Sequence, residues 1–236
     1  MRKSILALFT VLAAAPAYAQ QMSYSDAAQA YNRILLEKGD GTYQRISAYK
    51  VVGTQYLFGE RHTGDLYSPG EMALNIRVSY NTYNQQVEFY TKENPTKPLV
   101  KDAKDVDSFR LRPDPAIGLP DQQLVFVSGK ALGTSGNTLY QRVSAGPKYS
   151  LFKKYKSTLG IVTTSYVDAD LRQFNLEFEF YYFDHAKNQF KKLKPNQSSV
   201  EKEFPQLTSP GQLFIDYPIA ANPELTLKQV FLALNK

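Results

Sequence analysis

The chain of 236 residues contains no cysteine and no tryptophan, and it contains only two histidines. The absence of cysteine excludes disulfides, thiolate metal sites and lipid attachment through a cysteine. The fold must therefore rest on its apolar core. Also absent are a Gly-x-Ser-x-Gly elbow, a P-loop and a His-Glu-x-x-His motif. The sequence thus carries no signature of the common hydrolase, nucleotide-binding or zinc-protease chemistries.

The composition that is present favours sheet. With 43% hydrophobic and 21% charged residues the chain is of the globular class, and its 17 Tyr and 14 Phe suit a pleated, half-buried surface. We predict a mainly β (α+β) fold, with two antiparallel β units, a short N-terminal helix and C-terminal helices.

The N-terminus has the three parts of a secretory signal peptide. Arg2 and Lys3 precede an apolar run from Ile5 to Ala15, and the small-residue triplet Ala17-Tyr18-Ala19 follows it. The apolar run is shorter than the roughly 20 residues that cross a bilayer as a helix. We therefore expect cleavage after Ala19 and export of the chain to the periplasm, the outer envelope or the exterior.

The charge has a weak basic bias. The formal net charge of +6 falls to +4 if Arg2 and Lys3 leave with the signal peptide. The densest basic runs are KKYK at 153–156 and KKLK at 191–194. Such runs attract anionic lipid or polysaccharide at long range, but solvated strand faces explain them as well, and we prefer that interpretation.

The chain divides into four predicted segments: a signal peptide over 1–19, a helix plus β unit over 20–112, a proline-rich connector over 113–120, and a second β unit with a helical tail over 121–236. The N-terminal helix is predicted from Ser25 to about Lys38. In the tail, Ser198 and Glu201 form a candidate capping box, and Thr226 opens a second stretch of helical period.

Two stretches alternate with the period of a strand. The first predicts a hairpin with a turn at 81–84, whose apolar face is formed by Met72, Leu74, Ile76, Val78, Tyr80, Val87 and Phe89. The second predicts a central antiparallel strand with one face formed by Phe174, Leu176, Phe178, Phe180 and Tyr182. Its expected partners are the runs at 124–127, 139–143, 149–155, 160–166 and 190–193. We expect Phe178 and Phe180 to point inward and Glu177 and Glu179 to face water.

Two short segments go beyond a generic β pattern: VGTQYLF at 52–58, and SYNTYN at 79–84, which leads into VEF at 87–89. They resemble motifs of an uncharacterised secreted β-rich protein family of Bacteroidota, in which a Gly-Ser-x-Tyr-Leu stretch precedes a Tyr-Asn-x-Tyr-Asn turn. Here Thr54 stands where that family usually has serine, and Gln55 where it has proline. The resemblance covers about half of the mature chain. It implies an envelope location in a Gram-negative bacterium and supplies no activity and no catalytic residue.

Few residues suggest chemistry. His62 and His185 lie far apart, and a zinc site needs more ligands close together, so we predict no metal and no cofactor. His62 lies in the string from Glu60 to Asp65, which could hold a general base beside two acids. An exposed turn of mixed charge explains the same string.

Outward-facing aromatic residues such as Tyr90, Tyr181 and Phe183 could form a platform for sugar rings or acyl chains. Packing of the sheet against helices would use the same residues. The weak candidates for binding residues are therefore His62, Asp65, Tyr90 and Tyr181, and no residue is assigned a catalytic role.

These observations favour a non-enzymatic binding or interaction module of the envelope. The expected partner is a glycan, a lipid or a protein, with no nucleic acid and no membrane-spanning segment. One alternative is a hydrolase-like enzyme that uses the Glu60–Asp65 cluster, which requires those side chains to converge in a pocket. Another is a lipid-binding β-barrel, which requires an apolar cavity.

Overall fold

The computed structural model describes residues 35–37, 43–45, 50–93, 95–115, 119, 122–161 and 171–236, with side chains from Val52 onward except at 161 and 171. The predicted signal peptide and the predicted helix up to residue 34 lie outside the described residues. The helix prediction is wrong at its end, because Leu35–Glu37 is a strand (β1) that pairs antiparallel with Tyr43–Arg45 (β2). Pairing with a second strand overrides a weak local pattern here.

The fold is mainly β, as predicted. The remaining strands are β3 Lys50–Val52, β4 His62–Ser68, β5 Glu71–Asn81, β6 Gln86–Tyr90, β7 Leu99–Asp102, β8 Ser108–Leu111, β9 Leu124–Ser128, β10 Leu139–Ser144, β11 Tyr149–Ile161, β12 Leu171–Asp184 and β13 Gln189–Leu193. Ten of them form an antiparallel sheet in the order β13-β12-β11-β10-β9-β8-β4-β5-β6-β7, and β3 pairs parallel to β12. Most neighbours in the sheet are also neighbours in the chain, so the sheet is largely a meander of hairpins.

The first half of the sheet curls around an aromatic core. The Phe109 and Phe126 rings stack with centroids 4.3 Å apart, and Tyr80 packs against both. The turn after β5 reaches across to β11, where the Thr82 and Ser157 hydroxyls lie 2.7 Å apart. This contact joins β5 and β11, which are separated in the sheet by β10, β9, β8 and β4, so the strands between them curve around the core. We call the face of the sheet that points away from this core the outer face.

The second core lies between β11–β13 and three C-terminal helices, α1 Gln197–Glu203, α2 Pro210–Asp216 and α3 Pro223–Leu234. The buried side chains that form its centre are Leu151, Phe180, Tyr182, Leu193, Val200, Phe204, Leu227, Val230 and Phe231. The C-terminal helices are therefore present, as predicted, and the burial of their apolar faces against the sheet holds them in place.

The helix starts differ from the prediction. Asn196, not Ser198, caps α1 by accepting the Ser199 N–H. The last helix begins at Pro223 under an Asn222 cap, three residues before the predicted start at Thr226. Asparagine is as good an N-cap as serine, and the sequence offered both within a few positions.

The predicted connector joins two strands that pair directly. β8 and β9 lie side by side with Phe109 opposite Phe126, so one sheet runs across the predicted boundary. The two cores nevertheless have separate members. The division into segments 20–112, 113–120 and 121–236 stays a prediction.

The prediction that both phenylalanines of β12 point inward is wrong for Phe178. Phe180 is 1% exposed and Phe178 is 46% exposed, although they share a face of the strand. The core made with the C-terminal helices includes Phe180 but ends before Phe178. Instead, the Phe178 ring lies 4.2 Å from the ammonium of Lys153, which forms a 2.9 Å ion pair with Glu224 of α3.

β5 contains a bulge. The register with β4 shifts between Gly64 and Leu66, so that Leu74 and Asn75 of β5 lie opposite the single residue Asp65. Asn75 has a left-handed φ of 54°, a conformation that asparagine tolerates well. Its N–H donates to Asp65 Oδ1 over 2.9 Å, which fixes the extra residue in place.

The bulge reverses the faces of the first half of β5. Ala73 and Ile76 both pack against the core, whereas Met72 and Leu74 are 55% and 53% exposed. The predicted apolar face is therefore wrong for Met72 and Leu74, because one inserted residue moves every preceding side chain to the other face.

Candidate anion-binding face

Three adjacent strands place arginine side chains together on the outer face. Arg110 of β8 lies opposite Asp65 of β4, and Arg77 of β5 lies opposite Thr63 of β4. Arg112 follows Arg110 by two residues and so projects from the same face. All three arginines are exposed. We call Arg77, Arg110 and Arg112, with Thr63 and Asp65 between them, the arginine face.

Thr63 separates two of these arginines. Arg77 Nη1 donates to Thr63 Oγ1 over 2.9 Å, and the backbone N–H of Arg112 donates to the Thr63 carbonyl over 2.9 Å. Arg77 and Arg112 therefore flank β4 from its two sides, two strand spacings or about 10 Å apart at the backbone. The guanidinium of Arg110 lies over the Tyr67 ring, 5.2 Å from its centroid.

The arginine face has an excess of positive charge. Among the described residues, Asp65 is the only carboxylate on the outer face of β4, β5 and β8. Its Oδ1 already accepts from Arg112 Nη2 at 3.3 Å and from the Asn75 N–H. Within the part of the chain that the structure describes, Arg77 and Arg110 form no ion pair. A single acid thus balances three guanidinium groups.

The chemistry of this arrangement suits anions. A guanidinium is planar, stays charged at every physiological pH and presents paired N–H donors that match phosphate, sulfate or carboxylate oxygens. Pairing of β4 with β5 and with β8 fixes the distances between the backbones that carry these groups. The arrangement therefore favours a ligand with more than one anionic group.

A loop adjoins the arginine face. Residues 53–61 run beside the end of β5, and Leu57 of this loop is buried in the first core. Tyr56 points instead to the outer face, where its hydroxyl lies 2.9 Å from both carboxylate oxygens of Glu88. Burial raises the pKa of Glu88, and the Tyr56 hydrogen bond only partly offsets it. Phe58 and Arg61 in this loop have φ values of 60° and 62°, a conformation that non-glycine residues seldom adopt.

Tyr90 lies beneath this loop. Its ring is 8% exposed and the guanidinium of Arg61 lies 4.6 Å from its centroid. The sequence assigned Tyr90 to an outward-facing platform, and the structure does place it on the outer face, next to Arg77 across the strand pair. Its face is occupied by an arginine, however, so it supports the edge of the arginine face and offers little surface to a ligand.

His62 and Asp65 are not brought together. They project from opposite faces of β4: Asp65 lies in the arginine face, whereas His62 is 1% exposed on the core side. Its Nε2 lies 3.2 Å from the Gly59 carbonyl oxygen, and its Nδ1 has no partner among the described atoms. The interpretation of this string as an exposed turn is wrong from His62 onward, because these residues form β4.

Tyr181 lies in a different part of the sheet. It stacks on Phe190 with centroids 5.2 Å apart and contacts Tyr140 edge to face at 5.3 Å. Phe152 and Phe183 belong to the same outer-face cluster over β10–β13. This cluster is an aromatic layer several strands away from the arginine face, so Tyr181 and Asp65 do not share a site.

The two basic runs do not form an uncompensated patch. Across β11 and β12, Lys154 lies opposite Glu179 and Lys156 opposite Glu177. Lys192 of β13 forms an ion pair with Glu179 from the other side. Alternating charges of this kind favour the interpretation of these runs as solvated strand faces.

A small polar cleft is a second candidate site. A cleft of about 180 Å³ is lined by the polar residues Asn84, Gln85, Asp102, Lys104 and Asn137 together with Ala103. Within the described ranges, no three His, Cys, Asp or Glu side chains are placed to share a metal ion. No helix among the described residues is long and apolar enough to cross a membrane.

The arginine face was missed from the sequence because its members lie in three separate runs. Arg110 and Arg112 alternate with apolar residues in SFRLR at 108–112, and Arg77 does the same in NIRVSY at 75–80. Each run on its own reads as an ordinary strand with a polar face. Only the pairing of β4 with β8 brings them together.

Comparison with known proteins adds no assignment, since no family model, no curated protein and no solved structure matches the chain.

Proposed function

We propose that this protein is an exported, non-enzymatic binding module of the bacterial envelope that binds polyvalent anions through its arginine face. The observation that carries this proposal is the excess of guanidinium groups on the outer face of three adjacent strands. Among the described residues, the only carboxylate on that face of these strands is Asp65, which already accepts hydrogen bonds from Arg112 and Asn75. Export is supported by the signal-like first 19 residues.

A binding role fits the geometry better than a hydrolytic one. The candidate base His62 and the candidate acid Asp65 project from opposite faces of β4, so they do not converge on one reacting atom. The backbones of Arg77 and Arg110, in contrast, are held by neighbouring strands on both sides, and the Arg112 N–H bonds to Thr63 of β4. Fixed backbones keep the guanidinium groups within reach of a single ligand, and the binding free energy includes the cost of ordering these exposed side chains.

The proposal is tested by titrating the mature chain with inorganic tripolyphosphate in an isothermal calorimeter at low ionic strength. We expect the double variant Arg77→Ala/Arg110→Ala to bind at least about tenfold more weakly for each arginine removed, since hydrogen bonds to charged groups contribute about 1.5–3 kcal/mol. The matched control is Arg142→Ala, an exposed arginine of β10 in the same sheet.

The outcome separates a specific site from diffuse attraction. A specific site predicts that Arg142→Ala binds like the unaltered chain. If Arg142→Ala lost as much affinity as the double variant loses for each arginine removed, the interaction would be a net-charge effect. Absence of tripolyphosphate binding by the unaltered chain would refute the proposal outright.

A further inference from the structure

The bulge in β5 places apolar side chains beside the arginine face. Met72 lies opposite Tyr67 and Leu74 follows it on the same outer face, and both Met72 and Leu74 are more than half exposed. Without the extra residue Asn75, these two side chains would project into the core. The same hydrogen bond that joins Asn75 to Asp65 therefore fixes both the apolar pair and the acid at the centre of the arginine face.

The resulting surface is amphiphilic: a positively charged part, formed by the arginines, lies next to an apolar part. Arg110 lies over Tyr67, so a cation and an apolar ring meet at the boundary between the two parts. Met72 and Leu74 continue the apolar part along β5, and Arg77 follows on the same strand. A small soluble anion would use the arginines and leave the apolar pair in water.

A lipid bilayer with anionic headgroups can bind both the arginines and the exposed apolar side chains. Headgroup phosphates accept hydrogen bonds from guanidinium groups, and each arginine near an anionic surface strengthens binding roughly fivefold. Met and Leu side chains gain further affinity when they enter the boundary between headgroups and acyl chains. The charge complementarity of the three arginines selects an anionic bilayer over a neutral one.

We infer that the arginine face, together with Met72 and Leu74, docks this protein on an anionic lipid bilayer. This inference rests on the proposed function and names its ligand. The guanidinium groups hold headgroup phosphates, and the two apolar side chains insert beside them.

The test compares vesicle flotation with tripolyphosphate calorimetry for the same variants. Vesicles contain phosphatidylcholine alone or phosphatidylcholine with phosphatidylglycerol. Met72→Ser/Leu74→Ser should lose about tenfold or more in affinity for the anionic vesicles, because two apolar side chains no longer insert. It should keep its tripolyphosphate affinity within about twofold, because the arginines are unchanged. Arg77→Ala/Arg110→Ala should lose both.

The matched control replaces exposed apolar residues elsewhere. Ile215 on α2 and Leu232 on α3 are 72% and 57% exposed. Ile215→Ser/Leu232→Ser should float with anionic vesicles like the unaltered chain. Loss of flotation in this control, with normal flotation of Met72→Ser/Leu74→Ser, would assign membrane docking to the helices and overturn the inference.

A second readout does not depend on affinity. Because the chain has no cysteine, Leu74→Cys can carry a single environment-sensitive fluorophore. Its emission should shift to the blue and brighten on anionic vesicles, while the same label at Ile215→Cys should not respond. If tripolyphosphate binds but the Leu74 label does not respond to anionic vesicles, the face binds a soluble anion or a protein, and only the membrane inference fails. If neither binds, the proposed function fails as well.

Discussion

Two phenylalanines on one face of β12 give a matched test of where the second core ends. Phe180 is 1% exposed and lies within that core, so replacing it by alanine removes a fully buried ring and leaves a cavity. Such a change costs about 3–5 kcal/mol in unfolding free energy. Phe178 is 46% exposed and lies two residues away on the same face.

The cost of Phe178→Ala should be much smaller. About half of the ring already faces water, so only part of its transfer free energy is lost and no closed cavity forms. The ring also lies 4.2 Å from the ammonium of Lys153, a contact of about 0.5–1 kcal/mol at a partly exposed site. We expect a total of about 1–2 kcal/mol.

Urea unfolding of both variants, followed by circular dichroism, measures the difference. The unfolding free energies should differ by at least about 2 kcal/mol with unchanged m-values, since the same surface is exposed on unfolding. Equal losses would refute the reasoning, because they would mean that the helices cover Phe178 as completely as Phe180.

Two further predictions concern the buried acid and the N-terminus. Because the folded state raises the pKa of Glu88 above its usual 4.5, the stability associated with that group is complete below this pH and declines as pH rises through the folded-state pKa. Glu88→Gln keeps an acceptor for Tyr56 and no longer titrates. Between pH 4.5 and about pH 8, its unfolding free energy should therefore fall less than that of the unaltered chain. A steeper fall in the variant would contradict this prediction. For export, intact mass of the chain recovered from the envelope or the medium should begin at Gln20, and full-length chain retained in the cytoplasm would argue against a signal peptide.

The sequence was informative where a pattern is local and regular. The hairpin of β5 and β6, the long strand β12 and the C-terminal helices all follow from apolar periodicity and turn residues. The predicted runs at 149–155 and 160–166 are not separate strands: β11 continues from the first run to Ile161 of the second, since nothing between them interrupts the pairing with β12. Residues 162–166 lie outside the described residues. Local period identifies the element well, but not how far it extends.

A local sequence pattern does not predict which distant strands pair with each other. The reversed face of Met72 and Leu74 depends on Asn75 hydrogen bonding to Asp65, ten residues earlier on another strand. The exposure of Phe178 depends on where the C-terminal helices stop. Both are decided by tertiary contacts, which override the alternation that the sequence shows.

The candidate site illustrates the same limit. Asp65 was identified from the sequence and lies at the centre of the arginine face, but for a different reason from the one proposed, since His62 points to the core. Arg77 and Arg110 were not identified, because the pairing of β4 with both β5 and β8 that assembles them spans nearly fifty residues of chain.

The most direct measurement of the central claim is a tripolyphosphate titration of isotope-labelled residues 20–236, followed by amide chemical shifts. The account predicts that the largest changes occur at Thr63, Arg77 and Arg110 and that they saturate together. Changes concentrated on the lysines of β11 and β13, around Lys154 and Lys192, would contradict it, because the anion would then bind to the basic runs and not to the arginine face.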